Sequence, residues 1–182
     1  MRVIILWTWH FGHALADIVR KNGHEVIAWS FREQKPLDTL PQGDIYISTL
    51  NAMGVEAIGK QIATIANGAP IVSATKAFIL GSDMEQIFPS RVLGNSSLVF
   101  SWPNLASEML RWLPTGATIA GKRALFEQVQ PIFAMPTFFV EHHEDKTVVE
   151  LMGIMKNIIA IGIGMIDGLA LGENLKWIFI AR

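Results

Sequence analysis

The stretch RVIILWTWHFGHALADIVRKNGHEVIAW, residues 2–29, decides the fold of this chain. Residues 2–6 are almost entirely apolar and predict a buried strand. An apolar helix face follows, made up of Ala14, Leu15, Ile18 and Val19. Residues 22–23, Asn-Gly, are a usual helix stop, and residues 25–29 predict a second strand. A strand, a helix and a strand in this order form a βαβ unit, which requires parallel strands and a right-handed crossover.

The rest of the chain continues this alternation and then changes to helices. Further strands are predicted at residues 44–49, 70–74, 97–101, 117–120 and 137–140, with helices at 55–66 and 123–129. This order predicts an α/β fold of the Rossmann type, with a doubly wound, mostly parallel sheet that runs into the start of an all-helical C-terminal domain. We expect a nucleotide-binding domain over residues 1–146 and an incomplete helical domain over residues 147–182.

The composition excludes several classes of function. The 182 residues carry 15 basic and 16 acidic side chains, so the net charge of −1 gives no general attraction to nucleic acids or membranes. The six tryptophans lack interleaved basic residues and do not predict a nucleic-acid stacking platform. The absence of cysteine excludes disulfides and fits a cytoplasmic location. No signal peptide is predicted, and the apolar run near residue 160, interrupted by Lys156 and Asp167, is expected to fall short of the ~20 residues of a membrane span.

That apolar run, GIMKNIIAIGIGMIDG at residues 153–168, places a lysine at the head of a predicted buried helix. The helix is predicted because Ile158, Ile161, Met165 and Leu169 recur at helical spacing. Burial would lower the pKa of Lys156, which suits a proton donor or acceptor for a carbonyl and alcohol pair. The alternative is a lysine that reaches water from the end of a core helix.

The loops after the predicted strands are where a doubly wound sheet binds ligands. The glycine-rich turn that binds pyrophosphate is replaced by WTWHFG at residues 7–12, where only Gly12 remains. Indole side chains at Trp7 and Trp9 predict impaired cofactor binding, unless the loop is rebuilt around them. Arg32 follows the second strand and favours the 2′-phosphate of NADP, although it would also be stable as a solvated arginine.

Two further sets of side chains have ligand-binding chemistry. Lys76 follows the fourth strand and could neutralise a phosphate or an oxyanion, or be an ordinary surface lysine. The segment EHHED, residues 141–145, has metal-ligand side chains, but adjacent histidines rarely bind one ion. We therefore interpret residues 141–145 as a solvated turn and predict no metal site.

The segment KNIIAIGIGMIDGL at residues 156–169, followed by LGEN at 171–174, resembles the signature of NAD(P)-dependent glycerol-3-phosphate dehydrogenases, most closely the bacterial and cyanobacterial branch. VSATKA at residues 72–77 is similar to the A-T-K-G segment of this family. SWPNLA at residues 101–106 is similar to its S-G-P-x-x-A turn, with Trp102 in place of the glycine.

The resemblance implies an oxidoreductase that reduces dihydroxyacetone phosphate to sn-glycerol 3-phosphate for phospholipid synthesis, with NADP favoured over NAD. Lys156 would be the catalytic acid and base. The substrate-binding residues would be Lys76, Asn157, Trp102 and Asn104. The residues lining the cofactor would be His10, Phe11, Gly12, Arg32, Lys76 and Ala106.

The resemblance covers the front part of the family protein, so a second hypothesis stays open. The missing part would carry a carboxylate and an Arg-Asn pair that work with Lys156 on the substrate. The chain would then be a truncated, catalytically dead paralogue, kept as a remnant or as a noncatalytic interaction module. In either case the apolar helices from residue 151 to residue 180 lack a cover, and we expect self-association through them as a homo-oligomer.

Overall fold

The computed structural model of the protein describes residues 1–7, 10–30, 35–101 and 104–181, with the side chain of Trp7 excepted. The strands are β1 (Arg2–Trp7), β2 (Glu25–Ser30), β3 (Ile45–Ser48), β4 (Ile71–Ser73), β5 (Ile79–Leu80), β6 (Gln86–Ile87), β7 (Ser97–Ser101), β8 (Thr115–Ala120) and β9 (Phe138–His143). The helices are α1 (His10–Lys21), α2 (Ala52–Ala66), α3 (Pro89–Val92), α4 (Ala106–Met109), α5 (Arg123–Phe133), α6 (Lys146–Gly168) and α7 (Glu173–Ala181). A short 3₁₀ helix spans Leu37–Thr39.

A seven-stranded sheet in the order β2-β1-β3-β4-β7-β8-β9 forms the centre of the molecule. Each of its pairings is parallel except that between β7 and β8, where Ser101 faces Thr118 in an antiparallel register. The predicted doubly wound, mostly parallel sheet is confirmed. The small antiparallel pair β5–β6 was not predicted, because each strand has only two residues.

Both faces of the sheet are covered, as the βαβ pattern requires. Successive residues of β1 point to opposite faces: Val3 and Ile5 pack with α1 and α5, whereas Ile4 and Leu6 pack with α2. The four side chains are fully buried. This double burial explains why residues 3–6 form an unbroken apolar run.

Helix α6 crosses the sheet at β7 and continues past it. Its buried residues are Val149, Glu150, Gly153 and Ile166. The prediction of a helix is confirmed, but the prediction that its apolar face is buried is wrong in this chain. Ile158, Ile161, Met165 and Leu169 are 56%, 66%, 62% and 66% exposed. The sheet contacts α6 around Gly153, whereas the second half of the helix is contacted by α7.

Helix α7 folds back onto α6 and extends the uncovered surface. The aromatic ring of Phe179 lies against the backbone of Gly162, and Lys176 forms ion pairs with Asp167 and Glu173. We call eight exposed apolar side chains from the second half of α6, the turn after it and α7 the apolar face; they are Ile158, Ile161, Met165, Leu169, Trp177, Ile178, Phe179 and Ile180.

The length of α6 also differs from the sequence expectation. With 23 residues it is long and apolar enough, by length and composition, to cross a membrane, although only 22% of its most apolar window is buried. Core helices of soluble proteins can have the same length and composition, so these two properties do not make α6 a membrane span. Helix α6 begins one residue before the expected domain boundary at residue 147, and the division into two domains stays a prediction.

The interpretation of residues 141–145 as a solvated turn is wrong for the first three of them. Glu141, His142 and His143 belong to β9 and pair with β8, because their backbone groups complete the edge of the parallel ladder. The ring of His142 packs against Phe126 with 4.9 Å between centroids. Asp145 then begins α6 as its N-cap, accepting hydrogen bonds from the backbone N–H groups of Thr147 and Val148.

Candidate functional site

Lys76 and Lys156 line one cavity of about 370 Å³. Lys76 follows the carboxyl end of β4, and Lys156 reaches the same place on α6. The complete lining is Lys76, Ser101, Thr118, His143, Val148, Val149, Met152, Gly153 and Lys156. The carboxyl ends of the parallel strands β4 and β7 thus open into the cavity, which is where doubly wound sheets bind their ligands.

Lys76 is held at the cavity by its neighbours in the chain and in space. The buried Thr75 side chain donates a hydrogen bond to the Leu50 carbonyl at 2.7 Å. The Lys76 ammonium lies 5.8 Å from the centre of the Phe11 ring, in a cation–π contact. Burial lowers the pKa of Lys76, and the positive charge of Lys156 lowers it further. A lysine with a lowered pKa is common where protons are transferred.

The position of Lys156 depends on a close approach between α6 and β7. A Cβ atom added to Gly153 would come within 2.7 Å of the Ser101 hydroxyl oxygen and 3.8 Å of the Lys76 side chain. Only glycine fits at this point of the helix without a shift of its neighbours. The glycine therefore lets α6 lie directly on the end of β7, where its next turn carries Lys156.

The predicted cofactor residues His10, Phe11 and Gly12 form the first turn of α1. His10 is exposed, Gly12 is buried, and the Phe11 ring meets the Phe100 ring edge-on with 6.1 Å between centroids. No acidic side chain lies in the first turn of α1, so none would repel an anion at the positive end of the helix dipole. The cofactor roles of His10, Phe11 and Gly12 stay predictions.

Several predicted site residues lie outside the described residues. They are Trp9, Arg32 and Trp102, together with the side chain of Trp7. Impaired cofactor binding by the two tryptophans, the preference of Arg32 for NADP and a substrate contact by Trp102 stay predictions.

The two predicted asparagines are not among the residues that line the cavity. The Asn104 side chain is buried, and its amide nitrogen donates hydrogen bonds to the Thr115 hydroxyl at 2.9 Å and to the Gly116 carbonyl at 2.7 Å. Asn157 is exposed beside Lys156. Ala106 is half-buried at the start of α4 and packs against the core of the α1 face. The substrate and cofactor roles of these three residues stay predictions.

Sequence reasoning missed three polar residues of the cavity: Ser101, Thr118 and His143. The Nδ1 atom of His143 lies 3.0 Å from the backbone nitrogen of Asp145 and 3.2 Å from its carbonyl oxygen. The signal for Ser101 and Thr118 is their direct pairing across β7 and β8, which required the antiparallel register. Within the described ranges no three His, Cys, Asp or Glu side chains come together as a metal site.

A family model matches the C-terminal end of the chain, and curated relatives align along its whole length. Residues 145–182 match the family described as NAD-dependent glycerol-3-phosphate dehydrogenase C-terminus. The chain is 35% identical over 191 aligned residues to the glycerol-3-phosphate dehydrogenase [NAD(P)+] of Thermosynechococcus vestitus, covering 100% of this chain and 60% of the relative. It is 36% identical to the protein of the same name from Synechococcus elongatus, covering 98% of this chain and 60% of the relative. The chain thus spans about 60% of the length of the curated relatives that it matches.

Solved structures share the fold. The glycerol-3-phosphate dehydrogenase of Coxiella burnetii superposes with a TM-score of 0.83 at 23% identity, covering all of this chain and 65% of that one. An imine reductase of Streptomyces aurantiacus superposes with a TM-score of 0.65 at 15% identity, covering 92% of this chain and 64% of that one. At these identities the likeness shows the fold alone. Enzymes named for different substrates share this fold.

Proposed function

We propose that this chain belongs to the NAD(P)-dependent glycerol-3-phosphate dehydrogenases, which it resembles along its whole length, and that it forms the nucleotide-binding and lysine-bearing part of an enzyme that reduces dihydroxyacetone phosphate to sn-glycerol 3-phosphate. The observation that carries the proposal is the meeting of Lys76 and Lys156 in one cavity at the carboxyl ends of the strands. Lys76 follows β4 and Lys156 is on α6. Two separate elements thus bring like charges to one place, an arrangement that the stability of the fold does not require.

The two lysines divide the work of a carbonyl reduction. When bound, the reduced nicotinamide supplies a hydride to the C2 carbonyl carbon of the substrate. Lys156 donates a proton to the carbonyl oxygen, so the product is a neutral alcohol, and water restores the proton to the amine. Lys76, which contacts the Phe11 ring and follows Thr75, whose hydroxyl donates to the Leu50 carbonyl, stabilises the negative charge that develops on the oxygen or that the phosphate carries.

The choice of cofactor and compartment extends the same proposal. Arg32 favours NADP over NAD, because a guanidinium at the end of the second strand pairs with a 2′-phosphate. The first turn of α1 would hold the pyrophosphate through its backbone amides. A small phosphorylated substrate and a chain without cysteine fit a cytoplasmic enzyme.

Titration of the purified chain with NADPH and with NADH, followed by tryptophan fluorescence, tests the nucleotide site first. Trp7 and Trp9 flank the proposed pyrophosphate position in sequence, so saturable quenching is expected, and at lower concentration with NADPH. Oxidation of NADPH by dihydroxyacetone phosphate then tests the reaction. Lys156→Met should lower kcat/KM by about 10²-fold or more, whereas the exposed-lysine control Lys60→Met should leave it unchanged.

The second candidate function is a noncatalytic interaction module. It is favoured by the apolar face, in which each of the eight side chains defined above is more than a third exposed. Large exposed apolar side chains gathered on two packed helices are typical of an interface. Sedimentation of the chain at rising concentration tests self-association through it, and Ile161→Lys should shift the chain towards monomer. Absence of cofactor binding together with stable association would support this candidate against the first.

A further inference from the structure

We propose that Glu150 is a positioning residue, which holds Lys156 in place against Lys76 by tying α6 to the segment that follows Lys76. The inference rests on the proposed function in that it treats the two lysines as the reactive pair. It assigns a role to a buried carboxylate that touches neither the cavity nor a ligand.

The Glu150 side chain is 3% exposed and hydrogen-bonded at both oxygens. Oε1 accepts from the backbone N–H of Ser90 at 2.9 Å, and Oε2 accepts from the Ser90 hydroxyl at 2.6 Å. Ser90 lies in the first turn of α3, whose own N-cap residue, Phe88, has no side-chain capping bond. Glu150 therefore supplies from α6 the cap that the sequence of α3 lacks.

The same cluster extends to β7. The Ser97 hydroxyl lies 2.8 Å from the Ser90 carbonyl oxygen. Lys146, in the first turn of α6, donates to the Ser97 hydroxyl at 3.0 Å and to the Ser97 carbonyl at 3.3 Å. Polar bonds thus join α6, α3 and β7 below the cavity, and the Gly153 contact with Ser101 joins α6 to β7 again beside it.

Such an anchor is needed because the lysines carry like charges. Lys156 lowers the pKa of Lys76, which means that the two ammonium groups repel each other across the cavity. Lys156 is on the helix that carries Glu150. Ser90 is bonded to Ser97 at the start of β7, which pairs with β4, the strand that precedes Lys76. The bonds between Glu150 and Ser90 therefore oppose the separation that the repulsion favours.

The energetic cost of Glu150 supports a positioning role. Burial raises its pKa, against the lowering effect of the Ser90 bonds and of the charges on Lys146 and Arg91. An apolar side chain could fill a buried position without this cost, and replacing buried polar groups by apolar ones is often neutral or stabilising. A carboxylate instead fixes direction, because both of its oxygens have a geometric requirement.

The test measures the titration of Lys76 in the full chain, by NMR of ¹³C-methylated lysines assigned with Lys76→Arg. In Glu150→Ala, the pKa of Lys76 should rise towards the ordinary lysine value, because α6 carries Lys156 away and lets water in. Removal of a carboxylate charge by itself would lower the pKa of a lysine. The direction of the change therefore separates positioning from simple electrostatics.

The controls use a conservative change and a distant one. Glu150→Gln keeps an acceptor for the Ser90 N–H and should leave the pKa of Lys76 close to that of the parent. Glu144→Ala removes an exposed carboxylate and should also leave the pKa of Lys76 close to that of the parent. If Glu150→Ala does not fold by circular dichroism, Ser90→Ala, which removes only the hydroxyl bond, should raise the pKa of Lys76 by less. An unchanged or lowered pKa of Lys76 in a folded Glu150→Ala or Ser90→Ala variant would overturn the proposal.

An activity measurement separates this inference from the proposed function. Where the parent chain oxidises NADPH with dihydroxyacetone phosphate, Glu150→Ala should lower kcat by about 10- to 100-fold with little change in KM, since misplacement of a catalytic group has this size of effect. Glu150→Gln should recover most of the loss, and equal losses in the two variants would contradict positioning. If the parent chain has no activity, the proposed function fails, and the lysine titration still decides the role of Glu150.

Discussion

The Cα atom of Gly153 lies so close to the Ser101 side chain that a Cβ atom would come within 2.7 Å of the hydroxyl oxygen. Gly153→Ala should therefore push α6 from β7 and displace Lys156 in the cavity. We expect a loss of about 1–3 kcal/mol in the free energy of unfolding, as for other overpacking changes. Urea unfolding followed by circular dichroism measures it.

A second substitution provides the control for this change. In Ser101→Ala the nearest remaining atom would be the Cβ, 3.6 Å from the added methyl group, so the double variant should recover most of the stability. Gly164→Ala adds a methyl group to the same helix in open space and should stabilise the chain by about 0.5–1 kcal/mol. Equal effects at Gly153 and Gly164 would show that the Ser101 contact is unimportant.

A methyl group at Gly162 should disrupt the structure as one at Gly153 does, but at the contact between α6 and α7. A Cβ atom there would overlap the ring of Phe179, so Gly162→Ala should release α7 from α6. We expect faster proteolytic removal of α7, with the free energy of unfolding of the sheet domain almost unchanged. Gly168→Ala, where a Cβ atom meets nothing, is the matched control and should not change the cleavage rate.

Glu150 should make the stability of the protein depend on pH. Burial raises the pKa of this carboxyl in the folded state, so the folded state binds its proton more tightly than the unfolded state does. The contribution is fully present below the ordinary glutamate pKa of about 4.3 and is lost as the pH rises through the raised folded value. Melting temperatures measured upward from pH 4 should show this loss, and Glu150→Gln should remove that part of the profile. The same slope in both proteins would assign it to other groups.

Lys76→Met should raise the melting temperature of the protein and lower its activity. Because burial and Lys156 lower the pKa of Lys76, its charged form destabilises the folded state at neutral pH, and a neutral side chain of similar length removes the repulsion. The melting temperature should rise at pH 7, and the gain should shrink as the pH approaches the ordinary lysine pKa of about 10.4. Turnover, where the parent shows it, should fall by about 10²-fold. A lower melting temperature would mean that the Phe11 contact outweighs the repulsion.

The sheet was predictable because each of its strands has a local pattern. Val3 to Leu6 are apolar on both faces, and the Asn22-Gly23 stop separates α1 from β2. The direction of β8 was not predictable, because only the short α4 lies between it and β7, and neither strand encodes its partner. Lys76 and Lys156 were predicted from the family resemblance, whereas Ser101, Thr118 and His143 became visible only when the register of the strands had brought them together.

The apolar face shows the limit of periodicity as a guide. Ile158 and Ile161 recur at helical spacing and yet are exposed, since the spacing indicates only which side chains a helix could bury.

Glu150 is the opposite case, a charged residue that is buried. A charged residue in the first half of α6 would be assigned to the surface by its side chain alone, and only the position of Ser90, 60 residues earlier, accounts for its burial.

The bond between Glu150 and Ser90 also sets an order of events during synthesis. It joins positions 60 residues apart in the chain, and contacts of such separation form late because a long loop must close first. The strands from β1 to β7 can begin to pair as the ribosome releases them, but the cavity has no second wall until α6 has emerged and docked. Until then the ends of β4 and β7 face water, and a nascent chain that holds Lys76 without Lys156 has only one of the two lysines that line the cavity.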